Sequence, residues 1–248
     1  NTTTVTQTGL TCNTSNTIYV WAYNVCGNST ALTLTQTTSA CPICDVPSVT
    51  FTYEGQQVTY NTVESIGRCW LDRNLGATAV ATSSTHTAAY GDLFQWGRGD
   101  DGHQVRSPNP CFSPTQSSSP SPGSCFITGY NNWYNGSNPD NLWQGVSGTN
   151  NPCPSGWRVP TEAEWNAERL SWAPNNNSTG AINSPLKLPL AGNRSGSHGA
   201  LGNVGSGGLY WSGSVDGAIS RRLLFSSGNA SMGSYDRAFG FSVRCIKD

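Results

Sequence analysis

The sequence predicts an α+β chain: a short β module at the start, then a larger mixed domain with few helices and long loops. Three observations carry this. Apolar and polar residues alternate through 17–23 and 31–35, the period of half-buried strands. Thr161 is followed three residues on by Glu164, the capping-box spacing that opens a helix over 160–170. Elsewhere Gly, Ser, Pro and Asn recur so often that short strands and loops must dominate.

In chain order, residues 1–40 read as a hairpin with its turn at 24–29. The succession of Leu10, Asn16-Thr17, 19–24 and 27–29 resembles the last strands of a fibronectin type III or immunoglobulin-like sandwich, with Tyr19 at the tyrosine-corner position. The resemblance implies a partial β-sandwich, because a complete one takes about seven strands and about 100 residues. Such a fragment leaves an apolar face and strand edges open. The cover comes from strands upstream in a longer polypeptide, from a neighbouring copy by strand complementation, or from the second domain. Tyr19, Trp21 and Tyr23 are the expected assembly residues. The chain does not open on Met and shows no signal peptide, so a processed or truncated piece of something longer is expected.

Residues 41–48, with two prolines, read as a linker, and 49–248 as the second domain. It begins with strand 49–53, a turn at Glu54-Gly55 and strand 57–63. A short helix is expected near 85–90. In the 160–170 helix Trp165 and Leu170 are assigned to the core, Glu162 and Glu168 to solvent. The Ser/Pro-rich stretches within 97–152 read as a surface insertion. The glycine-rich 199–208 lacks the lysine and following helix of a phosphate loop.

Composition excludes several functions. Charged residues are 11% of the chain, against about 25% in an ordinary domain. A net charge of -1 with no basic run leaves no footprint for nucleic acid or an anionic membrane. No apolar run approaches the roughly 20 residues of a membrane span. Nine cysteines point to an oxidising, extracellular compartment. Only Cys41-Pro-Ile-Cys44 has zinc-knuckle spacing, without a second pair. The intervals suggest bridges Cys12–Cys26, Cys111–Cys125 and Cys153–Cys245, leaving Cys41, Cys44 and Cys69, of which two can pair.

Val58 to Val63, Ile66 to Gly76 with Cys69-Trp70, Tyr90 to Gly97, Cys153 to Thr161, Glu164-Trp165, Leu188 to Gly192, Tyr210-Trp211-Ser212 and Phe241 to Cys245 follow one another as ordered motifs. They resemble the Fibrobacter succinogenes major paralogous domain over about residues 50–248. The resemblance implies a C-type-lectin-like mixed domain with few helices and long loops, found at the ends of secreted and surface proteins of Bacteroidota. It also singles out Cys69, where the family usually has Gln, and implies an additional bridge from Cys69 to Cys41 or Cys44.

No catalytic constellation emerges. His86, His103 and His198 are scattered and read as loop residues. Glu164 and Glu168 read as a cap and a solvated face rather than a glycosidase pair. No cofactor is expected. Asp92, Asp100 and Asp101 are weak calcium candidates without the acidic density calcium needs, and Arg98-Gly99-Asp100 reads as a turn. Trp133, Tyr134 and Trp143 form an aromatic, amide-rich stretch suited either to sugar stacking, which needs them solvent-facing, or to a buried local core. Asn1, Asn13, Asn28, Asn135, Asn176, Asn177, Asn193 and Asn229 carry the glycosylation sequon. The function expected is a non-enzymatic structural subunit of an extracellular filament, associating head to tail with copies of itself. The alternative is a surface adhesin that binds carbohydrate through loops 98–150.

Overall fold

The computed structural model describes residues 6–108 and 110–248. The chain divides into two compact units, Asn1–Asp45 and Val46–Asp248.

In the first unit, β1 (Ser15–Val20) pairs antiparallel with β4 (Leu32–Thr37), placing Ile18 opposite Leu34 and Val20 opposite Leu32. At its tip β2 (Tyr23–Asn24) and β3 (Gly27–Asn28) form a smaller pair. Thr side chains alternate with Leu along β4, and Thr17 of β1 meets Thr35 across the ladder through their hydroxyls at 3.4 Å. The disulfide Cys12–Cys41 closes the open end of this ribbon. This corrects the expected Cys12–Cys26 bridge, because β1 runs between the two cysteines. Six extended residues carry the chain roughly 20 Å, far beyond the roughly 7 Å that a disulfide spans between Cα atoms. Cys26 is left free and exposed in the β2–β3 turn.

The second unit opens with β5 (Ser48–Tyr53), β6 (Gln56–Ser65) and β7 (Arg68–Leu71), an antiparallel meander. Short strands follow: β8 (Phe94–Gln95), β9 (Phe112–Ser113), β10 (Phe126–Ile127) and β11 (Trp157–Arg158). Then come α1 (Glu162–Leu170), α2 (Ser178–Asn183), β12 (Asn193–Arg194) and β13 (Leu201–Gly202). The longer β14 (Gly208–Asp216), β15 (Ile219–Phe225) and β16 (Ala230–Tyr235) precede β17 (Gly240–Phe241) and β18 (Ile246–Lys247). They assemble into a five-stranded sheet in the order β11-β18-β7-β6-β5, a four-stranded sheet β13-β12-β17-β8, a three-stranded sheet β14-β15-β16 and the parallel pair β9–β10. The expected helix near 85–90 is a single 3-10 turn, Thr87–Ala89.

The predicted α+β class with an immunoglobulin-like partial sandwich is therefore overturned. Among the described residues the two α-helices span nine and six residues, the rest is strands, 3-10 turns and loops, and the long strands of the first unit form a two-stranded ribbon rather than a layer of a sandwich. The ribbon motif looks sandwich-like because alternation specifies strands but not how many will stack.

Helix α1 starts where its box predicts. Thr161 Oγ1 accepts the Glu164 N–H at 3.3 Å, and Glu164 Oε2 accepts the Thr161 N–H at 2.8 Å. Two side-chain assignments reverse. Glu168 is fully buried, accepting from Ser65 Oγ at 2.6 Å and Trp172 Nε1 at 3.0 Å, whereas Leu170 is 56% exposed. At 3.6 residues per turn Leu170 lies about 140° round the helix from Trp165, and Glu168 only about 60°. Burial follows angle here, and two donors satisfy the carboxylate.

The core under α1 joins Trp70, Trp165, Trp172, Leu186, Leu188, Tyr210, Leu223, Phe225 and Ile246. A second aromatic layer holds the loops. Trp165 Nε1 donates to the Trp211 carbonyl at 3.0 Å, Trp211 Nε1 to Phe94 at 2.8 Å, Trp96 Nε1 to Ser212 at 2.8 Å and Trp133 Nε1 to Trp96 at 2.7 Å. Buried Arg244 likewise donates to the carbonyls of Leu71 at 3.1 Å and Leu186 at 2.9 Å and to Asn74 Oδ1. A chain with little regular structure leaves loop carbonyls without ladder partners, and a buried unpaired carbonyl is costly. Trp and Arg side chains supply the missing donors.

Eight of the nine cysteines are disulfide-bonded. Cys111–Cys125 and Cys153–Cys245 pair as expected, Cys41 is taken by Cys12, and Cys44 and Cys69 are also bonded.

Candidate functional site

The first unit presents a surface of unusual chemistry. Residues 6–44 contain no Asp, Glu, Lys, Arg or His. Every residue of β4 is exposed, with Leu32 at 70% and Leu34 at 55%. Tyr19 and Trp21 are more than half exposed and stack with ring centroids 6.1 Å apart, Tyr23 is 86% exposed, and Val25 is fully exposed. Among the described residues of this unit the two long strands have no second layer to bury what they display. Both edges lack the charges, prolines and bulges with which native edge strands discourage further pairing.

The predicted sugar-stacking residues sit elsewhere. Trp133, Tyr134 and Trp143 are all buried. Trp133 and Tyr134 rings lie 5.2 Å apart, Trp143 Nε1 donates to the carbonyls of Arg98 and Asn150, and Tyr134 Oη donates to Ser137. They form the local core of the insertion.

The three aspartates separate onto different partners. Asp92 accepts from Tyr53 Oη at 2.8 Å and the Arg106 N–H at 3.1 Å, and Asp100 accepts the Glu54 N–H at 3.1 Å. Asp101 holds Arg98 at 2.8 Å and His103 Nδ1 at 2.5 Å. Among the described residues no group of three or more acidic, His or Cys side chains is arranged to hold a metal.

His103 is a core residue rather than the loop residue expected. It is fully buried, its Nε2 accepts the Gln95 N–H at 3.0 Å, and burial followed by repulsion from Arg98 pushes it down to about 4 against the pull of Asp101. The imidazole is neutral and both its nitrogens are occupied, so it is structural. Sequence reading missed this triad of Arg98, Asp101 and His103, although their i, i+3 and i+5 spacing in one loop was visible.

The sequons divide by exposure. Asn13, Asn28, Asn135 and Asn229 are exposed. Asn193 is buried and its Oδ1 accepts from Asn203, while Asn177 caps α2 through the N–H groups of Thr179 and Gly180. Asn176 is half-buried. Asn1, and Asn109 of the Ser/Pro-rich stretch, lie outside the described residues.

No helix among the described residues is long and apolar enough to cross a membrane. The disulfides fit an oxidising, extracellular setting. Comparison with protein-family models, curated proteins and solved structures finds no match.

Proposed function

We propose that this chain is an extracellular structural subunit that assembles with copies of itself through the β1–β4 ribbon. The observation that carries the reading is the uncharged ribbon with large exposed apolar side chains and, among the described residues, two open strand edges. An open edge offers unpaired N–H and C=O groups to a further strand, and a neutral surface opposes a second copy with no like-charge repulsion. Strand addition would at once satisfy the edge and cover Tyr19, Trp21, Leu32 and Leu34. If a strand of one copy meets a different surface of the next, the contact is head to tail and extends rather than closes. Burial of Trp133, Tyr134 and Trp143 also favours the assembly reading over an adhesin that stacks sugars on those rings.

The test is sedimentation velocity and negative-stain electron microscopy of the purified chain across a concentration series. Concentration-dependent polymers are expected, reduced to single copies by Leu34→Lys combined with Tyr23→Lys while the thermal unfolding of the second unit is unchanged. A chain that stays monodisperse at every concentration refutes self-assembly. Polymers that persist in the doubly substituted chain place the contact outside the ribbon.

A further inference from the structure

Helix α1 and the β6–β7 turn enclose a groove on the second unit. A cavity of about 250 Å³ opens there, lined by Ile66, Arg68, Trp70, Ala163 and Ala167. Ala163 and Ala167 are exposed on successive turns of the helix, and at 3.6 residues per turn Leu170 lies within about 20° of Ala163 round the axis. Leu170, more than half exposed, extends the same face. Trp165 lies about 160° away and packs into the core. The helix is thus apolar on two sides, and among the described residues nothing covers the outer one.

Two local features set this groove apart. The β6–β7 turn runs through Ile66 and Gly67, at φ 50° and 64°. A β-branched residue in the left-handed region is an outlier that Asn or Gly would avoid, and Ile66 gains little burial in return, being 47% exposed. Backbone strain of this kind clusters where a side chain is needed for binding. The second feature is Trp70, whose ring is 1% exposed and whose Nε1 is buried with no acceptor among the described residues. Trp165 and Trp172 of the same core donate to the Trp211 carbonyl and to Glu168. A buried donor left unpaired is costly, so the Trp70 wall is one acceptor short.

The charges round the groove are paired, save one. Glu164 accepts from Arg158 at 2.8 Å through each carboxylate oxygen and from the Thr161 N–H, while Glu168 is held by Ser65 and Trp172. Arg68 reaches Glu164 only at 3.9 Å, with more than half of its side chain exposed. A carboxylate brought to Arg68 would also meet Glu164. An aromatic face meets no such repulsion, and a guanidinium stacks on it without an ion pair. The complementary surface is on the same chain: Tyr19, Trp21 and Tyr23 are exposed rings in a stretch with no acid or base, and the tyrosines also bring a hydroxyl oxygen that can accept a hydrogen bond.

We propose that this groove is the acceptor for the ribbon of a second copy, Tyr23 and its aromatic neighbours packing over Ile66, Arg68 and Leu170. The proposal rests on the ribbon reading and gives it a direction. Ribbon against groove is a contact between two different surfaces, which leaves each pair with one free ribbon and one free groove.

The test is sedimentation velocity on the full chain with substitutions on either side, alone and mixed. Ile66→Asn and Leu170→Lys should each raise the concentration at which polymers appear by at least about tenfold, and together should give single copies. Ile66→Asn should melt no lower than the parent chain, because Asn accepts the left-handed turn. The combined groove variant and the ribbon variant, Leu34→Lys with Tyr23→Lys, should form one-to-one pairs on mixing and nothing larger. Polymers that withstand both groove substitutions overturn this inference and leave the ribbon reading intact, since ribbon then meets ribbon. Single copies that do not pair on mixing overturn it as well. A parent chain that never polymerises, or a ribbon variant that still does, defeats the ribbon reading and this inference with it.

Discussion

The Tyr19–Trp21 stretch and the Tyr210-Trp211 stretch each place a Tyr and a Trp in or next to a strand, yet they meet opposite fates. Tyr19 and Trp21 are more than half exposed, whereas Tyr210 and Trp211 are fully buried. β14 lies beside β15 with α1 across it, so Tyr210 finds Trp165 at 5.7 Å and Phe225 at 5.7 Å. Among the described residues β1 has one partner strand, itself exposed throughout. Apolar content makes a strand attractive to water-free packing, but only a second layer realises the roughly 1.5–3 kcal/mol per large side chain that burial provides. The unit without that layer is the one whose large apolar side chains stay exposed.

The contrast is sharpest under truncation. Trp211→Ala removes a ring that packs 4.3 Å from Phe241 and donates to the Phe94 carbonyl, and should cost about 3–5 kcal/mol in denaturant unfolding of the second unit. In the ribbon, which has no comparable core, stability rests on covalent closure. Replacing Cys12 and Cys41 by Ser opens a loop of sequence separation 29 and should cost about 3–4 kcal/mol by chain entropy. Limited proteolysis should then cleave the first unit while the second stays resistant.

A third test separates the units by pH. His103 in the folded second unit sits at about 4, while an unfolded histidine titrates near 6.5. The unfolded chain therefore binds a proton first as pH falls. Stability is complete above about pH 6.5 and declines toward pH 4, by about 3 kcal/mol in all. His103→Gln, which can still accept from Gln95 and donate to Asp101, should flatten that slope in urea melts at stepped pH. The ribbon has no such term over this range: residues 6–44 carry no Asp, Glu, Lys, Arg or His. A loss of ribbon structure over the same pH range would break the comparison.

Smaller effects complete the series. Thr161→Ala removes one half of the α1 capping box and should cost about 1 kcal/mol. Trp21→Ala, the counterpart of the Trp211 substitution, should alter folding stability by no more than about 0.5 kcal/mol. A large loss there would mean that the Trp21 ring is a core residue after all.

Local chemistry was legible in the residues. The alternation around Ile18 and Leu34, the turn at Glu54-Gly55, the capping box at Thr161 and Glu164, and the bridge Cys111–Cys125 all follow from short-range spacing, whereas the expected bridge Cys153–Cys245 joins cysteines 92 residues apart. The Cys12 partner was misread because loop length was weighed without the strand that separates Cys12 from Cys26. Glu168 and Leu170 were misread because residue type was weighed before helix angle. The candidate surface at Tyr19, Trp21 and Tyr23 could be named from its unfinished strand pattern, while the groove beside α1 could not, since it joins Ile66 and Trp70 to Ala163 and Ala167 from distant stretches of the chain.

By itself the sequence determined where strands and the capped helix begin, that the chain carries almost no charge in its first unit, and that its cysteines belong in an oxidising setting. Tertiary structure alone decided which aromatics are inside. The physical reason is that a loop carbonyl takes whatever donor the folded chain brings to it. Trp96 reaches Ser212, Trp211 reaches Phe94 and Arg244 reaches Leu71, over sequence distances of 116, 117 and 173 residues that no local pattern records.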